Sequence, residues 1–134
     1  MIFLDTSFLV ALEVEKDENH KKSLIVRDKI VNNEYGNSVI SDYIFDETMT
    51  VTLIRLKDLE KTVAIGTKLR GSPVFIRLEE SDFEETWKLF RNQKDTKFSF
   101  TDCSNLAIMK RLNIKNIATF DGDFEKIDEI NVIQ

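Results

Sequence analysis

The chain opens Met1-Ile2-Phe3-Leu4-Asp5-Thr6-Ser7: an apolar run meets an acid, and two hydroxyl side chains follow at once. A short apolar run with no polar alternation reads as a strand buried on both faces, as in a parallel sheet. The apolar segment Phe8–Leu12 comes next, so Asp5 is expected at the carboxyl end of a first, central strand. That edge of an open α/β sheet is where ligand sites form. An unpaired carboxylate is costly to bury, although an Asp there could simply cap the next helix. The reading therefore turns on whether other acids converge on the same edge.

A second segment repeats the pattern. Asn116-Ile117-Ala118-Thr119-Phe120 reads as a strand that runs directly into Asp121-Gly122-Asp123. Between the two, strands and helices alternate. Helices are expected at Ser7–Val14 and at about Asp17–Val31, with His20 on the polar surface, and a strand at Ser38–Ile40. Ser41 or Asp42 caps a long helix reaching about Lys57; Asp58–Leu69 forms another, closed by Gly71. Pro73–Ile76 reads as a strand, and Ser81…Glu84 as a capping box opening a helix that carries Trp87, Leu89 and Phe90. Trp87 is expected in the core or an interface. Thr101 is expected to cap a helix over Asp102–Leu112, with Cys103 in the core, and Val132-Ile133 to form an edge strand. Such alternation calls for a parallel sheet with right-handed crossovers, in a single domain over residues 1–134.

Composition narrows the function classes. With 42% hydrophobic and 32% charged residues, the 134-residue chain has the make-up of a soluble globular domain. One cysteine excludes an internal disulfide framework and fits a reducing cytoplasm. The opening run has no basic n-region and contains Asp5, so it does not read as a secretory leader. No apolar stretch reaches the roughly 18–20 residues that span a bilayer. The net charge of −5 argues against a passive nucleic-acid coat, which is normally basic. It is compatible with an acidic cluster that binds divalent cations.

Two further acids can reach the Asp5 edge. In the helix after Ser41, apolar residues fall at 40, 44, 51 and 54, and the position missing from that stripe is Glu47. An inward carboxylate must be paired, protonated or metal-bound. Asp102 stands in the first turn of its helix, four and seven residues before Leu106 and Met109, so it too shares a face with core positions. The helix dipole alone also favours an Asp there. Asp5, Glu47, Asp102 and Asp121 are thus the candidate acids. Oxygen donors suit Mg²⁺ or Mn²⁺, and no His/Cys cluster favours zinc. Acid-held divalent metals at a sheet edge suit phosphodiester hydrolysis. Lys94 and Lys97, in the polar loop 91–97, are candidates for holding a phosphate backbone. No Gly-rich phosphate loop and no Ser/His/Asp set is present.

Ile2-Phe3-Leu4-Asp5-Thr6-Ser7, Ser41-Asp42-Tyr43 with Asp46-Glu47-Thr48, Phe100-Thr101-Asp102, and Ala118 through Phe124 occur in the order found in PIN-domain proteins. The chain resembles most the VapC-type toxins of prokaryotic toxin–antitoxin pairs. The resemblance implies a five-stranded parallel α/β/α sandwich and a Mg²⁺/Mn²⁺-dependent endoribonuclease. It also implies metal binding by Asp5, Asp102 and Asp121, with Glu47 completing the quartet. Ser7 would support the metal shell, Thr101 would sit beside it, and Asp123 would stand behind or substitute for Asp121. A small antitoxin and a homodimer are the partners implied. A stand-alone RNA-processing nuclease and an inactive RNA- or protein-binding module are the alternatives. A haloacid-dehalogenase-type phosphatase needs a second Asp where Ser7 stands.

Overall fold

The computed structural model describes residues 1–134. Five strands, β1 (Ile2–Leu4), β2 (Ser38–Ser41), β3 (Val74–Ile76), β4 (Asn116–Ala118) and β5 (Asn131–Ile133), form one sheet in the order β3-β2-β1-β4-β5. Every pairing is parallel. Six helices complete the chain: α1 (Thr6–Glu13), α2 (His20–Val31), α3 (Asp42–Leu56), α4 (Leu59–Gly71), α5 (Glu80–Arg91) and α6 (Phe100–Arg111). Helices α1 to α4 pack on one another, and α5 packs on α6. This is the expected three-layer α/β/α sandwich.

The opening stretch lies at the centre. Ile2 and Phe3 are fully buried and Leu4 nearly so, each stabilising the fold by roughly 1.5–3 kcal/mol. From β1 the chain builds outward to β2 and β3, then returns across the sheet to β4 on the other side of β1. The order therefore reverses between β1 and β4, and the carboxyl ends of those two strands face the resulting crevice. The register aligns Leu4 with Ala118, and the Asp5 N–H donates to Ala118 O at 3.0 Å.

Close helix packing supports this frame. A Cβ on Gly66 would stand 2.8 Å from Met49 Sδ, so α4 approaches α3 through a glycine. Between α5 and α6 the tie is ionic: Asp82, 3% exposed, accepts from Arg111 at 2.7 and 2.8 Å.

Several local expectations need correction. Helix α2 starts at His20, not Asp17, because the Asp17 carboxylate accepts from the Asn19 N–H at 2.9 Å and holds a turn there. The His20 ring is half-buried and donates from Nδ1 to Ala11 O at 2.7 Å. Helix α4 runs through Gly71 and ends on Ser72. Helix α5 is capped by Glu79 with Asp82 in the reciprocal role, two residues earlier than the Ser81–Glu84 box; the Arg111 pairing fixes Asp82 at that position. Helix α6 is capped by Ser99, not Thr101. The apolar stripe read along α3 also shifts: Ile44, Thr48 and Thr52 are buried while Ile54 is 67% exposed. Trp87 is 48% exposed, which removes the core from its expectation and leaves the interface.

Candidate active site

The β1/β4 crevice opens into a cleft of about 470 Å³ that all four candidate acids line. Asp5 caps α1 and is 3% exposed. Its Oδ2 accepts from Ser7 Oγ at 2.6 Å, Thr119 Oγ1 at 2.8 Å and the Ser7 N–H at 3.2 Å. Its Oδ1 accepts from Asn105 Nδ2 at 3.2 Å. Ser7 Oγ in turn accepts from the Phe120 N–H at 2.9 Å, and Thr119 Oγ1 from the Asp121 N–H at 3.0 Å, so one hydroxyl network joins both strand ends. Every partner of Asp5 is neutral. Burial pushes its pKa up despite these donors, and the Glu47 charge pushes the same way.

Glu47 is half-buried on α3, where its Oε2 accepts from Thr6 Oγ1 at 2.5 Å. It flanks the Ile44–Thr48–Thr52 face, and that angle turns it toward the cleft instead of the core. Asp102 is the third residue of α6. Its carboxylate accepts from the Ser99 N–H at 2.7 Å while Ser99 Oγ accepts from the Asp102 N–H at 3.1 Å. Burial, with the charges of Asp5 and Asp121 added, pushes its pKa up to about 6 against the Ser99 hydrogen bonds. Asp121 caps the 3₁₀ turn Gly122–Lys126 and accepts from the Asp123 N–H at 2.9 Å.

The remaining expected residues fall elsewhere. Asp123 is engaged by Lys126 Nζ at 2.5 Å and by the Lys97 N–H at 2.7 Å, and the former contact holds its carboxyl below the usual range. It does not line the cleft, whereas Asp121 does. Thr101 does not line it either; its carbonyl accepts from Ser104 Oγ. Lys94 and Lys97 are exposed and outside the cleft.

Four contributors were missed in the sequence: Thr6, Asn105, Thr119 and Arg55. Asn105 lies one helical turn beyond Asp102 and is fully buried, and nothing local in the sequence marks its reach to Asp5. Its Oδ1 has no partner, as a side chain spent on orienting Asp5 would leave it.

The cleft's donors are oxygens only, with no His or Cys among its lining residues, which fits a hard divalent cation. As the side chains stand, no three His, Cys, Asp or Glu groups are close enough to be a ready-made ligand set. The acids nevertheless act on one another: Asp102 feels both Asp5 and Asp121, and Asp5 feels Glu47. A cation among them would relieve that repulsion.

Comparison with known proteins agrees with this geometry. The family profile described as PIN domain matches residues 2–130. The chain is 29% identical over 138 residues to the 23S rRNA-specific endonuclease VapC20 of Mycobacterium tuberculosis, with 98% of each covered. The crystal structure of that bacterium's VapC20, described as a Sarcin-Ricin loop cleaving toxin, matches at a TM-score of 0.82 and 25% identity. That match covers 96% of this chain and 95% of the other. The structure of VapBC2 from Rickettsia felis, bound to a DNA fragment from their promoter, shares the fold at a TM-score of 0.72 and 14% identity, with 98% and 97% covered. This chain belongs to the PIN-domain family.

Proposed function

We propose that this protein is a Mg²⁺- or Mn²⁺-dependent endoribonuclease of the VapC toxin type, hydrolysing RNA phosphodiester bonds in the β1/β4 cleft. The observation that carries the reading is the four-acid cleft built on a buried Asp5 that has no cationic partner. The likeness to VapC20 along nearly the whole chain selects RNA as the substrate class. Ribosomal RNA is therefore the first substrate to test.

Asp5, Asp102 and Asp121 would hold the metal, with Glu47 completing the set. A divalent cation bound there would lower the pKa of a water and stabilise charge on the scissile phosphate. The protein's own part is positioning. Ser7, Thr119 and Asn105 fix the Asp5 carboxylate, Thr6 fixes Glu47, and Ser99 fixes Asp102. These short polar contacts preset the oxygens, so little reorganisation is needed during reaction.

A toxin of this type implies a small inhibitory antitoxin and a cytoplasmic setting. Homodimerisation is part of the same reading. Helix α5 buries the polar Asp82 and Thr86 and exposes Phe83, Trp87 and Phe90. The rings of Phe83 and Phe90 meet Phe100 at 5.5 and 5.7 Å, which makes a continuous aromatic face. Glu80 and Glu84 flank one end of that stripe, and Lys88 and Arg91 the other. Two α5 helices packed antiparallel about a two-fold axis would set each end against the opposite charge. A chain carrying Glu80→Lys with Glu84→Lys should be monomeric, as should one carrying Lys88→Glu with Arg91→Glu. Their mixture should dimerise. Variants that each remain dimeric alone would remove this surface from the reading.

The activity itself is tested by incubating purified protein and large-subunit ribosomal RNA with Mn²⁺, then mapping new 5′ ends. Parallel samples contain chelator or Asp102→Asn. Discrete cuts that vanish in both controls are expected; equal cutting by parent and variant would refute the assignment.

A further inference from the structure

The cleft has an electrostatic problem. Besides the four acids already named it is lined by Asp17 and Glu18, and an RNA backbone entering it brings more negative charge. Arg55 is the only cation among the lining residues. We infer that Arg55 is the substrate-phosphate anchor of this cleft and that Asp17 is the residue that positions it, an inference that rests on the RNA-cleaving reading above.

The placement follows from helix periodicity. Glu47, Val51 and Arg55 are four residues apart on α3 and all three line the cleft, so they form one wall of it. Eight residues of helix set Arg55 about 12 Å along that wall from Glu47. That separates a charge that grips the backbone from the acids that surround the scissile bond. Lys94 and Lys97 do not line the cleft.

The guanidinium is also held and partly free. Arg55 Nη1 donates to Asp17 Oδ2. Asp17 is itself fixed, since its Oδ1 accepts from the Asn19 N–H at 2.9 Å. Against its partial burial, the Arg55 guanidinium holds Asp17 below the usual carboxylate range, so the pair stays ionised. Nε and Nη2 of Arg55 make no hydrogen bond to the protein, and the side chain is 37% exposed. A fork with one tine tied and the others unbonded, on a residue that lines this cleft and the neighbouring groove, is suited to a phosphate.

The test is binding of a short fluorescein-labelled single-stranded RNA, followed by anisotropy with Mn²⁺ present. Asp102→Asn serves as background to prevent turnover. Salt is varied from about 50 to about 200 mM, because each phosphate contact on a single strand contributes about 0.7 to the slope of log K against log salt. Adding Arg55→Gln should weaken binding roughly tenfold at the lower salt and reduce the slope by about 0.7. Adding Asp17→Asn removes one repelling charge, yet it should weaken binding with the slope intact, because the Arg55 charge remains while its position is lost. Arg27→Gln, which removes an exposed cation on α2, should leave both unchanged.

An unchanged affinity and slope in Arg55→Gln would overturn the anchor. Tighter binding in Asp17→Asn would overturn the positioning role. Arg55-dependent binding by a protein that cleaves no RNA would refute the proposed function and leave the anchor standing.

Discussion

Asp5 and Asp82 are both nearly closed to solvent, at 3% exposure each, with Asp5 much the deeper of the two, and they do opposite things. Asp82 has a full cationic partner: Arg111 donates to both of its oxygens, and the Glu79 N–H adds a third bond. Burial raises its pKa, but the guanidinium outweighs it, and the carboxyl is held below the usual range. Asp5 has four hydrogen bonds and no cation, and its pKa is pushed up. One acid is finished within the fold and locks α5 to α6. The other is preset but electrically incomplete, at the edge where a parallel sheet opens. A buried carboxylate marks a working site when its charge, not its hydrogen bonding, is left unanswered.

The sharpest way to break this contrast is to neutralise each acid in turn. Asp5→Asn should lower RNA cleavage by roughly 10³-fold or more, while its melting temperature stays within a few degrees of the parent's. A variant that unfolds instead would make Asp5 a structural residue like Asp82. Asp82→Ala should do the reverse. Losing the carboxylate that pairs with the partly exposed Arg111 costs about 1–3 kcal/mol, which is read as a fall of roughly 5–10 °C in thermal melting. Cleavage per folded molecule should be unchanged below the transition.

A smaller effect separates the two regions by pH. Asp102 has a folded pKa of about 6, above its unfolded value. The native state then binds more protons than the unfolded one between about pH 4 and 6, so its contribution to stability declines as pH rises through that window. Allowing for solvent screening, the expected loss is about 1–2 kcal/mol in metal-free protein. Asp82 has the opposite sign: its lowered pKa gives stability that is present at neutral pH and lost as pH falls through the folded value. Asp102→Asn should remove the first slope and leave the second. Denaturant melts of both proteins across pH 4 to 8 measure this, and identical profiles would contradict the raised pKa that burial and the neighbouring acids give Asp102.

The sheet and its acids were legible because they are local signals. An apolar run with no polar alternation marked β1, a mostly apolar run marked β4, and each leads into its acid. Helix faces were less legible, since buried hydroxyls do not look apolar. Thr52 belongs to the α3 core face because its hydroxyl donates to Thr48 O at 2.6 Å, which satisfies it internally. The α5 cap was misplaced for a related reason: Ser81 and Glu84 have the right spacing, but the distant Arg111 fixes Asp82 as the reciprocal partner. Local charge points to Lys94 and Lys97, whereas the cation that lines the cleft is Arg55, paired with Asp17 across 38 positions. Asn105 and Thr119 reach Asp5 from 100 and 114 residues away. Contacts of that range leave no trace in a local pattern.

The most direct measurement is a calorimetric titration of Mn²⁺ into the parent protein, Asp5→Asn and Asp82→Asn. If Asp5 is the electrically incomplete acid, the parent and Asp82→Asn bind the ion and Asp5→Asn loses that binding. Equal Mn²⁺ binding by Asp5→Asn, or none by the folded parent, would contradict the assignment of this cleft as a metal-dependent nuclease site.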